Sequence, residues 1–321
     1  MGYSTVTGSS GPLSTATLTS LLDPPTGTVR TVIDTDTANE IDDHFALIYA
    51  LLSDAIDVEA IYAAPFHNKN SKDPADGMEK SYEAILDILD LTDRSPSDRF
   101  LHRGAKGFMS SQPLERQFPA TEDLIRRASK TTDEILYVIS IGSPTNIALA
   151  IENTPEIINN IVVVWLGGQP HSWHTAWEFN LSQDLHASKV LFDSGVPLVQ
   201  IPCKNVAEHL RTTIPELQDY LKNKGPIADY LLDLFTGYDP TEYQYEDTPG
   251  DVWSKEIWDL APVGYLVNQE WVPTHLVHSP ELSNEHNYTQ NTSRHLMRLA
   301  QDVKRDFVYN DLFETVVGFE T

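Results

Sequence analysis

Four aspartates fall within ten consecutive residues, Asp34-Thr-Asp36-Thr-Ala-Asn39-Glu40-Ile-Asp42-Asp43. They follow a short apolar β run at 31–34 and lead into a helical pattern over 42–53 with a broad apolar face. In an open parallel sheet this position is the carboxyl end of a strand, where ligands bind. Asp42 and Asp43 alone could complement a helix N-terminus, an interaction worth about 0.3–1 kcal/mol for each charge. Asp34 and Asp36 have no such explanation. They lie on a run expected to be buried, and like charges crowded at short range raise one another's pKa unless a cation compensates. Oxygen donors with no Cys or His pair nearby point to a hard divalent ion, Ca²⁺ or Mg²⁺, rather than to Zn²⁺.

Such a cluster needs a scaffold, and the rest of the chain has the pattern of one. Short β-rich runs alternate with longer helical ones, which predicts a mostly parallel sheet covered by helices. Strands are expected over 31–34, 58–64, 135–141, 161–166, 197–201 and 274–278, with a late strand near 295–299. Helices are expected over 42–53, 144–152, 185–192, 214–235, 255–267 and 305–317, and through Tyr82, Ile85, Leu86 and Leu89 after a polar loop at 67–77. Residues 237–250 carry acids, Tyr and Pro without clear periodicity and form a candidate lid or an ordinary surface loop. No composition shift or internal repeat divides the chain. One Rossmann-like α/β domain with a mostly parallel central sheet flanked by helices is expected over 29–321, preceded by a flexible tail over 1–28 rich in Ser, Thr and Gly.

The 321 residues include 47 acidic against 22 basic side chains, a formal charge of −25. A surface of that sign repels phosphate backbones and anionic membranes, so neither nucleic acid nor a membrane is an expected partner. No run reaches the ~18 apolar residues that a membrane-spanning helix needs. The N-terminus lacks the basic start and apolar core of a secretory signal, and a soluble, cytoplasmic protein is expected. The lone Cys203, in Val199-Gln-Ile-Pro-Cys203, has no partner for an internal disulfide and reads as a core thiol at a strand end.

The spacing of the acids resembles the nucleoside hydrolase family, whose members open with a strand, an Asp-x-Asp, a short turn and an Asp-Asp pair leading into a helix. Here these are Asp34-Thr-Asp36 and Asp42-Asp43, with a longer turn between them than the common Pro-Gly form. Three further segments agree in order: Ile139-Ser-Ile141-Gly-Ser-Pro-Thr145-Asn146, then Trp165-Leu-Gly167-Gly168 followed by Glu178-Phe-Asn180, and then Trp258-Asp259 opening onto an apolar helix. The resemblance thus runs from about residue 31 to the C-terminus. It implies the nucleoside hydrolase fold and Ca²⁺ held by Asp36, Asp43, the backbone carbonyl of Ile141 and Asp259. It implies ribose contacts from Asp42, Asn68, Glu178 and Asn180, with Asp34 bracing its neighbours. Trp258 stands where many members have His, and the Trp-Asp pair is similar to that of purine-preferring members. A small-molecule nucleoside substrate and a homodimer or homotetramer are likewise implied. Thr145 and Asn146 are expected to cap the following helix. Asn39 and Glu40 in the long turn have no assignment.

The reaction so implied is hydrolysis of the N-glycosidic bond of a ribonucleoside, giving free base and ribose, as in purine salvage. Asp36 is the expected general base on a water held by the cation. The surrounding carboxylates and the Asn180 amide oxygen suit an oxocarbenium-like transition state. Trp258 cannot donate a proton as an imidazolium can, but it can stack on the base. Trp173, Trp177, His171 and His174 in the loop 169–177, together with His67, are further candidates without individual roles. Two other readings compete. A strand ending in Asp34-Thr-Asp36-Thr37 also resembles the first motif of haloacid-dehalogenase-type phosphatases, with Asp34 as nucleophile beside Mg²⁺. The early Asp-Asp pair and the Trp-Asp setting of Asp259 speak against it. A non-catalytic calcium-dependent sugar-binding protein would keep the same ligands but has little need of a general base.

Overall fold

Val29–Thr35 (β1) is a strand with almost every side chain buried, as a position in the middle of a two-sided sheet requires. The computed structural model describes residues 13–95, 97, 99–110, 115–130, 134–239 and 253–320. β1 pairs in parallel with Ile56–Ala63 (β2) on one side and Leu136–Ser140 (β4) on the other. Leu101–Arg103 (β3) lies outside β2, and Ile161–Leu166 (β5), Leu198–Ile201 (β6), Leu296–Ala300 (β12) and Thr274–His278 (β9) continue beyond β4. The eight strands run in the order β3-β2-β1-β4-β5-β6-β12-β9, and only β9 is antiparallel to its neighbour. Arg211–Thr212 (β7) with Lys255–Glu256 (β8), and Glu281–Leu282 (β10) with Tyr288–Thr289 (β11), form two small antiparallel ladders.

The order decides where a ligand can sit. The chain moves outward from β1 to β3 and then crosses back to place β4 on the other side of β1, so the direction of winding reverses between β1 and β4. Connections diverge at such a point and leave a crevice at the carboxyl ends of the strands. The helices that cover the two faces are Thr15–Leu21 (α1), Asp42–Leu52 (α2), Pro74–Leu91 (α3), Pro119–Ala128 (α4), Thr145–Asn153 (α5), Phe179–Gln183 (α6), Leu185–Asp193 (α7), Ile214–Leu221 (α8), Pro226–Thr236 (α9), Leu260–Val267 (α10) and Arg305–Glu320 (α11). One apolar layer joins α1, α2, α3 and α8 through α11 to the sheet, and a second joins α4, α5 and α7 to its opposite face. Val162 and Val164 belong to the first layer, Val163 and Trp165 to the second, which is the alternation of a strand buried on both sides.

The expected strands and most helices are present, and the differences have local causes. The loop expected over 67–77 gives way to helix at Pro74, because the Asp73 side chain accepts from the Asp76 N–H and Pro occupies the first turn. The helix expected over 214–235 is two helices, α8 and α9, parted where Asn223 and Gly225 take positive φ ahead of Pro226. Residues 255–267 are not one helix: Lys255 and Glu256 pair with β7, and α10 begins only after Asp259. The tail expected over 1–28 contains α1; its Leu18 and the following Leu22 are buried in the first apolar layer, and the Leu22 carbonyl accepts from Arg298. The candidate lid at 237–250 lies, from residue 240 on, outside the described residues.

A close crossing fixes the start of α3. A Cβ on Gly77 would lie 2.1 Å from the Phe66 carbonyl oxygen, so the helix packs directly on the backbone that follows β2. Gly77→Ala is expected to lower the unfolding free energy in urea by about 1–3 kcal/mol, the usual cost of overpacking. An unchanged midpoint would show that this crossing is not tight.

Candidate active site

The acids stand where β1 ends. The Ile141 N–H donates to the Asp34 carbonyl at 2.9 Å, which sets Ile141, one residue past β4, beside the end of β1. A Cβ on Gly142 would come within 3.1 Å of the Asp36 carboxyl carbon and backbone nitrogen, so glycine lets the strand ends approach. After Asp36 the chain turns, with the Asn39 N–H bonded to the Asp36 carbonyl at 2.7 Å, and enters α2 at Asp42 and Asp43. Asp259 sits at the start of α10, which packs against α2. One carboxylate oxygen from each of Asp42, Asp43 and Asp259 lies within 4.8 Å of the others, and all three residues are buried.

Each acid is held differently. Asp43 accepts from the Thr35 hydroxyl. Asp34 accepts from the Asn146 amide at 2.7 Å, while the Asn146 oxygen accepts from the Ala105 N–H at 2.8 Å. Asn146 is therefore a brace between strand ends rather than a helix cap. Thr145 likewise turns away from capping and donates to Asp184 at 2.9 Å. Both Asp36 carboxylate oxygens and Asp34 Oδ2 are buried without a hydrogen-bond partner, an arrangement costly enough to require a function.

The electrostatics run in one direction. Burial raises Asp36, and the neighbouring Asp43, Asp42 and Asp34 raise it further. Burial pushes Asp34 up to about 7 against the opposing bond from Asn146. Burial pushes Asp42 up to about 6, an effect that Lys255 opposes and Glu40 adds to. Asp43 and Asp259 are also raised, chiefly by burial and then by the other acids. Lys255, only 1 % exposed, pairs with Glu40; burial would lower its pKa, but Asp42 and Glu40 carry it above the ordinary value.

A cavity of about 430 Å³ opens at the acidic cluster. Its floor holds Asp36, Asp42, Asp43, Asp259 and Ile141, and its wall includes Asn68, Glu178, Asn180 and Trp258. Asp34 is not on the wall. Glu178 caps α6: its carboxylate accepts from the N–H groups of Asn180 at 2.9 Å, Gly168 at 2.9 Å and Leu181 at 3.1 Å. The Asn180 amide nitrogen donates to the carbonyls of Leu166 and Ile141, at 3.1 and 3.3 Å. Asn68 donates to the Asn39 side chain at 2.6 Å, and Asn70 donates to the Asn39 carbonyl at 2.9 Å, which ties the loop after β2 to the acidic turn.

The pattern of an inosine-uridine preferring nucleoside hydrolase matches residues 31–310. The chain belongs to that family. Among relatives, the pyrimidine-specific ribonucleoside hydrolase RihA of Klebsiella pneumoniae is 26 % identical over 266 residues, covering 75 % of this chain and 82 % of its own. The enzyme of the same name from Escherichia coli O1:K1 is 25 % identical over 257 residues, covering 72 % and 80 %. Two solved structures share the fold. A purine-preferring ribonucleoside hydrolase from Gardnerella vaginalis aligns with a TM-score of 0.74 at 21 % identity, over 91 % of this chain and 99 % of its own. The plant nucleoside hydrolase PpNRh1 aligns with a TM-score of 0.72 at 19 % identity, over 90 % and 99 %. This nucleoside hydrolase is an N-ribosyl hydrolase, and its family is metal-dependent. Asp34 as a phosphatase nucleophile is ruled out by membership and by position, since a wholly buried carboxylate off the cavity wall cannot reach a substrate. No described helix is long and apolar enough to cross a membrane.

Sequence reasoning missed the basic residues of the site. Lys255 lies four positions before Asp259 in a stretch read as helix, and nothing in that pattern marks it as buried. Glu40, unassigned in the turn, is its partner. Lys255 stands behind the cavity lining, whereas Lys69, Lys204 and Gln169 line the cavity, each as a single polar residue in a loop with no motif of its own.

The raised carboxyls give a pH dependence with a definite sign. A folded-state pKa above the unfolded 3.8 contributes stability below about pH 4, which is lost as pH rises through the folded values of about 6 for Asp42 and about 7 for Asp34. In EDTA the thermal midpoint is expected to fall between pH 4 and pH 7, relative to the same titration with an added divalent cation, which would take up the repulsion. Parallel curves with and without metal would refute the cation site.

Proposed function

We propose that this enzyme hydrolyses the N-glycosidic bond of ribonucleosides in a calcium-dependent reaction, with Asp36 as general base. The observation that carries this is the pair of buried, unpartnered Asp36 oxygens beside the Asp42, Asp43 and Asp259 cluster, inside a cavity large enough for a nucleoside. An all-oxygen donor set that includes a backbone carbonyl favours Ca²⁺, which accepts six to eight such ligands, over Mg²⁺, which demands tighter octahedral geometry. Asp36, Asp43, Asp259 and the Ile141 carbonyl would hold it. When bound, the ion supplies a positive centre that neutralises the carboxylates and polarises ribose hydroxyls and water.

The side chains supply the rest. Asp36 takes the proton of the attacking water. Asp42, Glu178, Asn180 and Asn68 orient the sugar by its hydroxyls. As the ring approaches an oxocarbenium ion, the carboxylates and the Asn180 amide oxygen favour its positive charge. Asp34 stays off the substrate and keeps Asn146 and Ile141 in register with β1. Trp258 stacks on the base, and this favours purines, whose two fused rings offer more area for stacking. A role in purine salvage in the cytoplasm, and assembly as a homodimer or homotetramer, complete the reading.

Asp36→Asn, which keeps the size and loses the base, is expected to lower kcat for ribose release from inosine at saturating calcium by about 10²–10⁴-fold, with circular dichroism and the thermal midpoint confirming an intact fold. Activity in the variant within a few-fold of the parent would remove Asp36 from this role. Trp258→Ala is expected to reduce kcat/KM for inosine more than for uridine in steady-state assays. Equal losses on the two would count against stacking.

A further inference from the structure

The residues discussed so far grip the sugar and activate the water, while the departing base still needs a partner for its charge. Breaking the C1′–N bond leaves the bonding electron pair on the base nitrogen. Trp258 can stack on that base but presents no positive charge to it. The histidines considered as acids stand elsewhere. His171 lines a second cavity, of about 550 Å³, and bonds to Gln200 at 2.8 Å. His67 faces Ser71, and His174 packs on Trp173. Among the described residues that line the active-site cavity there is no histidine, and the cationic N–H donors are Lys69 and Lys204.

Lys204 follows Cys203 just past the end of β6. Its backbone N–H is fixed by the Gln169 side-chain oxygen at 3.0 Å. Its ammonium lies over the Trp258 ring, 5.8 Å from the ring centre, and 3.2 Å from Glu208 Oε2. Lys69 instead follows Asn68, whose amide is tied to the acidic turn at Asn39. A chain with 22 basic residues against 47 acidic ones places this one beside the aromatic face where a base can stack. An ammonium on a flexible four-carbon stem offers three N–H donors and a point charge that can follow the edge of a ring.

We propose that Lys204 is the leaving-group residue, donating an N–H bond to the base nitrogen and compensating the negative charge that grows there. This rests on the N-ribosyl hydrolase reading. In the step, the C1′–N bond breaks with its electrons going to the base, and a C1′–O bond forms to water, whose proton passes to Asp36. The base anion is held by Lys204 and takes its proton from solvent on release. Lys204 keeps its own proton throughout.

A substrate with a stable leaving anion separates this role from simple packing. Inosine needs help at the base, whereas 4-nitrophenyl riboside departs as a phenolate that needs little. With calcium present, Lys204→Met is expected to lower kcat/KM for inosine by about 100-fold or more, the usual loss on removing an acid-base or charge-compensating partner, and for the nitrophenyl riboside by far less. Lys204→Arg, which keeps the charge, should retain most of the inosine activity, and thermal midpoints of both variants report on folding. Equal losses on the two substrates, or no loss on either, would overturn the assignment, as would a selective loss seen in Lys69→Met and not in Lys204→Met. If the parent enzyme releases ribose from neither substrate, it is the underlying hydrolase reading that fails, and this inference falls with it.

Discussion

Like charges at close range in a dry place dominate this molecule. Asp34, Asp36, Asp42, Asp43 and Asp259 are all nearly inaccessible to solvent, and Asp34, Asp36, Asp42 and Asp43 each raise the proton affinity of at least one other acid of the group. Water relieves such repulsion through its high dielectric constant, but the sheet and its helices leave each of these side chains only slightly exposed. The fold holds the acids together regardless, because β1 and α2 are fastened by apolar packing on both sides of the cluster. The apolar layers thus oppose a local electrostatic cost, a division usual where a site is strained for a purpose.

The switch in strand order is the geometric counterpart of that constraint. Residues separated by more than two hundred positions, such as Asp36 and Asp259, meet because β1 lies centrally and α10 packs against α2. No local stretch of chain could form the site alone. The Lys255–Glu40 pair adds a long-range tie between the acidic turn and the segment leading to Asp259. Its burial means that the turn, although long, is anchored at one of its middle residues.

Much of this was legible in the residues. Buried strands such as Ile161–Leu166 announce themselves as unbroken apolar runs, and Asp34, Asp36, Asp42 and Asp43 are conspicuous because acids rarely follow such a run so closely. What stayed hidden depended on partners far along the chain. Lys255 looks like any surface lysine until β8 pairs with β7 and turns it inward. Asn146 has the composition of a cap, yet the crowding of Asp34 against β4 gives it a different task. β3 has only three residues, α1 has seven, and the lone polar side chains on the cavity wall form no pattern, so periodicity offers nothing to detect them.

Glu178 lies on the cavity wall, fastens the start of α6 through the N–H groups of Asn180 and Leu181, and ties it to the end of β5 through that of Gly168. A sugar hydroxyl that donates to this carboxylate must share it with donors already in place. On the proposed sugar contact, occupancy of the cavity and the integrity of a helix turn would be linked quantities, and by reciprocity whatever loosens that turn would change affinity. The short helix becomes a mechanical gauge of the pocket, with its tension set by how many donors one carboxylate can serve.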